Sequence, residues 1–102
     1  MVHKNFRSYQ LAIQFYRQCD TLRCPAHLKS QLLRAASSVV LNLAEGSGKA
    51  SDQDRRRFYG IALGSVREVQ AVMDLTLSAP QEMVQLSDSL GACVYRLCHP
   101  VR

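Results

Sequence analysis

Two prolines and one glycine-bearing turn cut the sequence into four segments, and each repeats its apolar residues three and four apart. That spacing is the period of a helix with one buried face, and no segment alternates with the two-residue period of a strand. The first segment covers residues 5–22. Leu11, Phe15, Cys19 and Leu22 form one stripe and Phe6, Tyr9, Ile13 and Tyr16 its neighbour, so the buried face is wide. Pro25 suits the first turn of a second helix, where a missing N–H costs nothing, and that helix runs to about Glu45. Gly46 to Ala50 form a short flexible turn, with Gly46 placed for the left-handed conformation that closes many helices. A third helix opens at Ser51, which has capping-pair spacing with Asp54 and gains favourable first-turn charge from Asp52. It continues to Leu77 or Ser78, before Pro80 stops it. The fourth begins near Gln81, carries Met83, Leu86, Leu90, Val94 and Leu97 on one stripe, and ends at His99-Pro100.

Four helices joined by short turns predict an all-α, up-down-up-down antiparallel four-helix bundle. The 102 residues make one domain, 1–102. A chain this short buries roughly 60 to 65 % of its unfolded surface, so association with further copies of itself is expected to stabilise it. No apolar run approaches the ~20 residues of a membrane span, so no membrane is expected as partner. The N-terminal Met1-Val2-His3-Lys4-Asn5-Phe6 lacks the apolar stretch of a secretory signal, which predicts a cytoplasmic protein.

The second and third helices depart from an ordinary bundle pattern. Gln31, Arg34, Ser38, Asn42 and Glu45 fall within about 80° of one another on helix two, and nearly everything else there is apolar or small. The strip is either the solvent face of a deeply embedded helix or a buried hydrogen-bonded seam. On helix three, Gly60, Gly64 and Ala71 share one side, and each internal glycine costs roughly 1 kcal/mol relative to alanine. Small residues four apart usually mark a close helix approach, so this side is expected to pack against Ala36, Ser37 and Ala44. Glu68 stands near the same side, and folding the hairpin about Gly48 predicts a buried pairing with Arg34. Arg34, Asn42, Glu45, Gly60, Gly64 and Glu68 are thus the candidate structural seam.

Charge is uneven. The net charge of +5 divides into +7 over residues 1–67 and −2 over residues 68–102. A basic surface attracts polyanions by phosphate neutralisation, which makes RNA or DNA a candidate partner; the alternative is a solubilising surface. Arg55, Arg56 and Arg57 fan across about 200° of the helix start, where they oppose its dipole. With Lys49, Lys29 and Arg23, and with Arg17, Arg7 and Lys4 on neighbouring surfaces, they are the candidate nucleic-acid-binding residues. No RNA-recognition, zinc-finger or helix-turn-helix signature is present, so binding would follow shape and charge.

Other chemistry lacks its residues. Cys19 and Cys24, like Cys93 and Cys98, are five apart, which leaves each pair about 140° apart on a helix, and the two pairs lie at opposite ends of the predicted bundle. No metal site or cofactor is expected, and reduced core cysteines are. His3, His27 and His99 have no nucleophile or paired carboxylate beside them, and Glu45 and Glu68 have simpler structural roles, so no catalytic residue is assigned. Gly46-Ser47-Gly48-Lys49 lacks the spacing of a phosphate-cradling loop.

Three stretches carry a resemblance. Gln31-Leu32-Leu33-Arg34-Ala35-Ala36-Ser37-Ser38-Val39, then Asn42-Leu43-Ala44-Glu45-Gly46-Ser47-Gly48, then Arg57-Phe58-Tyr59-Gly60-Ile61-Ala62-Leu63-Gly64-Ser65-Val66-Arg67-Glu68 resemble the signature of the four helix bundle protein family. That family includes proteins encoded in intervening sequences of large-subunit ribosomal RNA genes and is similar to the accessory variability determinants of diversity-generating retroelements. The resemblance covers nearly the whole chain, with Val40 and Leu43 in place of commoner isoleucines. It implies the up-down bundle and, for several members, a homopentameric ring. For the retroelement proteins it implies a basic ring that binds a reverse transcriptase and its template RNA. The expected function is therefore a non-enzymatic, nucleic-acid-binding accessory to a reverse transcriptase; the alternative is an intervening-sequence-type scaffold without nucleic-acid binding.

Overall fold

In the computed structural model, which describes residues 6–100, helix boundaries follow local chemistry. The helices are α1 (Arg7–Thr21), α2 (Ala26–Ser47), α3 (Asp52–Leu75) and α4 (Gln81–Cys98). Ser51 accepts the Asp54 backbone N–H at 3.1 Å, the expected cap of α3. Pro25 and Pro80 stand one position outside α2 and α4, and their carbonyls accept the first turns' N–H groups from Leu28, Lys29, Met83 and Val84. The α3 helix ends at Leu75, short of the expected Leu77 or Ser78. Thr76 is extended, and its hydroxyl and its N–H both turn back to the Met73 carbonyl, a local bond that competes with helix propagation.

Named pairs fix the topology. Arg34 meets Glu68 and Ser38 meets Ser65, so α2 and α3 run antiparallel. Gly91 lies against Val66 and Gln70 reaches Asp88, which sets α4 antiparallel to α3. Ser78 donates to the Arg23 carbonyl at 2.9 Å, joining the turn after α3 to the turn after α1. Around the bundle α1 adjoins α2, α2 adjoins α3, α3 adjoins α4 and α4 adjoins α1, while the diagonal pairs do not adjoin among the described residues. This is the predicted up-down-up-down arrangement, in a body 40 × 22 × 21 Å. Phe15, Leu32, Val39, Leu43, Val66, Val69, Leu90 and Val94 are fully buried along its axis. Each contributes about 1.5–3 kcal/mol relative to an exposed side chain.

The glycines correct two expectations. No described glycine has a positive φ, and α2 runs straight through Gly46 to Ser47. Gly46 is instead a close-approach residue: a Cβ there would stand 2.7 Å from Tyr59 Cε1 and 3.2 Å from Phe58 Cβ. Gly60 and Gly64, expected to pack against α2, are exposed and would bring a Cβ within 4 Å of nothing. The tight approach occurs at Gly46; at Gly91 a Cβ would make ordinary contact, 3.5 Å from Val66 Cγ1. Nothing in the spacing of the five glycines distinguishes these roles, because helical period alone does not say which face meets a neighbour.

Candidate nucleic-acid interface

The antiparallel topology separates the six predicted basic residues into two groups. Lys49, Arg55, Arg56 and Arg57 gather at the turn between α2 and α3, whereas Lys29 and Arg23 sit at the other end of the bundle, about 30 Å away along α2. Lys29 is also engaged, its ammonium donating to the Leu22 carbonyl. Arg17 and Arg7 lie exposed on α1; Lys4, like His3, lies outside the described residues. The predicted cluster is therefore a local basic end.

Within that end the three arginines do different things. Arg55 turns back on the chain: Nη1 donates to the Lys49 carbonyl at 2.8 Å and the Ala50 carbonyl at 3.1 Å, and Nη2 pairs with Asp52. It clamps the turn, and its charge is partly neutralised. Arg57 lies over the Phe58 ring at 4.7 Å from the centroid, and the Lys49 ammonium stands 5.1 Å from the same ring while pairing with Glu45 at 3.1 Å. Such stacking holds cations in place. Arg56 makes no hydrogen bond or ion pair among the described residues and lines a cleft with Asp52, Arg55, Tyr59, Leu97 and Pro100. Burial pushes the Tyr59 phenol up from its ordinary value, with Arg55 opposing.

The predicted seam is mostly a surface. Arg34 and Glu68 pair as expected, at 3.5 Å, but their side chains are 74 % and 46 % exposed, so the pair is not buried. Glu45 is exposed too. Only Ser38 and Asn42 are half-buried: Ser38 Oγ lies 2.8 Å from Ser65 Oγ, and Asn42 Nδ2 donates to the Ser38 carbonyl and hydroxyl. Beside this strip Leu41 is 66 % and Ile61 46 % exposed, and Leu41 borders an apolar groove with Ile13, Tyr16, Ser37 and Val40. Gly60 and Gly64 leave α3 flat next to Ile61.

A second feature of the basic end is absent from the sequence-based expectations. Tyr95 of α4 and His99, its C-cap, stack with ring centroids 4.1 Å apart and planes inclined by 24°. Their i, i+4 spacing is the one signal of it in the sequence, but that spacing reads equally well as a helix end, and His99 Nδ1 does lie 3.1 Å from the Tyr95 carbonyl oxygen. Arg67 of α3 borders the same side of α4, its Nη1 3.7 Å from where a Gly91 Cβ would be.

The cysteines are free thiols. Burial pushes the Cys19 thiol up to about 12 and raises Cys98 as well. Among the described residues no three His, Cys, Asp or Glu side chains gather as metal ligands, and no helix is long and apolar enough to cross a membrane.

A family model described as 23S rRNA-intervening sequence protein matches residues 4–97. Comparison with curated proteins and with solved structures found no match.

Proposed function

We propose that this chain, which belongs to the 23S rRNA-intervening sequence protein family, is a non-enzymatic cytoplasmic bundle that associates with itself and binds RNA or DNA as an accessory protein. The observation that carries polynucleotide binding is the basic end: Arg56, without a hydrogen bond or ion pair among the described residues, with Arg57 and Lys49 held over Phe58, beside an open cleft. Arginines fixed by stacking present charge to phosphates with little further loss of side-chain freedom. The described residues form no strand, and the sequence carries no helix-turn-helix, zinc-finger or RNA-recognition signature, so recognition in this proposal rests on charge and shape. The partner enzyme in this proposal is a reverse transcriptase of a diversity-generating retroelement, supported by the sequence resemblance.

Self-association is supported by the exposed Leu41 and Ile61 beside the flat glycine face of α3. Two internal glycines cost roughly 2 kcal/mol together, and among the described residues neither makes a close approach that would require a glycine. A neighbouring copy would supply that approach. A homopentameric ring is the assembly proposed. The same apolar surface and the family match favour a second reading, a protein-binding scaffold of the intervening-sequence type whose charge only solubilises it.

Replacing Arg56 and Arg57 by glutamine separates the two. Under the first reading RNA affinity falls and the slope of log affinity on log salt shrinks by roughly 0.7 to 0.9 for each phosphate no longer neutralised, with folding unchanged. Unaltered affinity and slope would remove the basic end as the binding surface.

A further inference from the structure

We infer that the groove between α3 and α4 binds single-stranded polynucleotide, the Tyr95–His99 stack taking unpaired bases and Arg56 and Arg67 taking the flanking phosphates. This rests on the polynucleotide-binding reading above and adds strand preference to it.

The rings are available. Tyr95 is 48 % exposed although it lies on a helix with a buried face, and His99 at the C-cap is exposed. Helical side chains lean over the preceding turn, and the residue one turn before Tyr95 is Gly91, which has no side chain to cover the ring. Cations stand one turn before the pair and in the cleft lined by the residue after it. Pro100, which follows His99 directly, lines a cleft with Arg56. At the other end the Arg67 guanidinium lies over Gly91 and is steadied by a 3.2 Å bond from Nη1 to Gln70 Oε1. Gln70 also reaches Asp88 at 3.5 Å, so negative charge begins just beyond Arg67 and ends the track. From Gly91 to Cys98 the helical part of the track is about 10 Å long at 1.5 Å per residue.

An aromatic pair between two cations matches the chemistry of an unpaired strand. Every base has a face to stack and every nucleotide a phosphate, whereas a duplex keeps its bases stacked on one another and offers only phosphates. The stack therefore adds affinity for single strands and none for duplex.

The test is fluorescence anisotropy of labelled oligoadenylate, as RNA and as DNA, and of a labelled duplex of equal length, with the full chain. Single strands should bind more tightly than duplex. Tyr95→Ala should weaken single-strand binding about 5- to 100-fold while leaving the duplex and the melting temperature unchanged, and Tyr95→Phe should retain it. Equal affinity for the RNA and DNA oligomers would support recognition by stacking and phosphate alone; tighter RNA binding would support the same groove with an added 2′-hydroxyl contact. If Tyr95→Ala leaves single-strand affinity intact while Arg56→Gln with Arg57→Gln lowers it, the groove proposal is overturned and the basic end stands. If no oligomer binds, both fall.

Discussion

Replacing Gly60 and Gly64 by alanine tests whether the exposed face of α3 is completed by another molecule. Each glycine lies inside a helix with ordinary backbone angles, and a Cβ at either would touch nothing within 4 Å. Alanine should therefore relieve about 0.5–1 kcal/mol at each site, through helix propensity and reduced freedom of the unfolded chain. The double variant gains about 1–2 kcal/mol, which for a domain of this size raises the melting temperature by roughly 4–15 °C. Circular dichroism melts at concentrations low enough to dissociate any assembly would record this, and sedimentation at higher concentration would record association. The double variant should be a more stable single chain that associates more weakly, because two methyl groups then occupy the approach surface. Lower stability of the dissociated chain would refute the reasoning, since it would mean that the glycines pack within the bundle.

Gly46→Ala should do the opposite, because Phe58 Cβ is fixed to backbone and cannot yield; about 1–3 kcal/mol of overpacking outweighs a propensity gain of about 1, and urea unfolding should show net loss. Arg34→Ala should change stability by no more than about 1 kcal/mol, as for other exposed ion pairs, and a double-mutant cycle with Glu68→Ala giving a larger coupling would restore the buried seam. Cys19 makes the fold alkali-sensitive. Its thiol titrates near 12 when folded against 9.0 ordinarily, so above pH 9 the unfolded chain loses a proton that the folded chain keeps. Stability is full below pH 9 and falls toward pH 12 by about 1.4 kcal/mol per pH unit, approaching about 4. Chemical denaturation across that range should show the decline in the native chain and a flatter profile in Cys19→Ala.

The bundle was legible because period, punctuation and length agree. Stripes such as Leu11, Phe15, Cys19 and Leu22 are all buried, and Ser51 caps α3 through Asp54 as its spacing indicates. Pairings one turn apart across a hairpin were legible too, which is why Arg34 found Glu68. Burial of that pair was not, because the direction in which a helix faces solvent depends on how all four helices are rotated. The same rotation sends Gly60 and Gly64 outward and Gly46 and Gly91 inward. At the candidate site, charge count located the basic end but overstated its extent: Lys29 and Arg23 are close to it in composition and far from it in space. It also missed that Arg55 commits its guanidinium to the Lys49 and Ala50 carbonyls. Arg67 comes from α3 and the Tyr95–His99 pair from the end of α4, and no local pattern connects the arginine to the rings.

Self-association and RNA binding are both read from mass in solution, measured by light scattering on a sizing column with and without structured RNA at low and moderate salt. The chain should run as a homo-oligomer, of pentamer mass in the proposed ring, that takes up RNA at low salt and releases it as salt rises. A lone chain of 11.4 kDa, or an oligomer whose mass never changes with RNA, would contradict it.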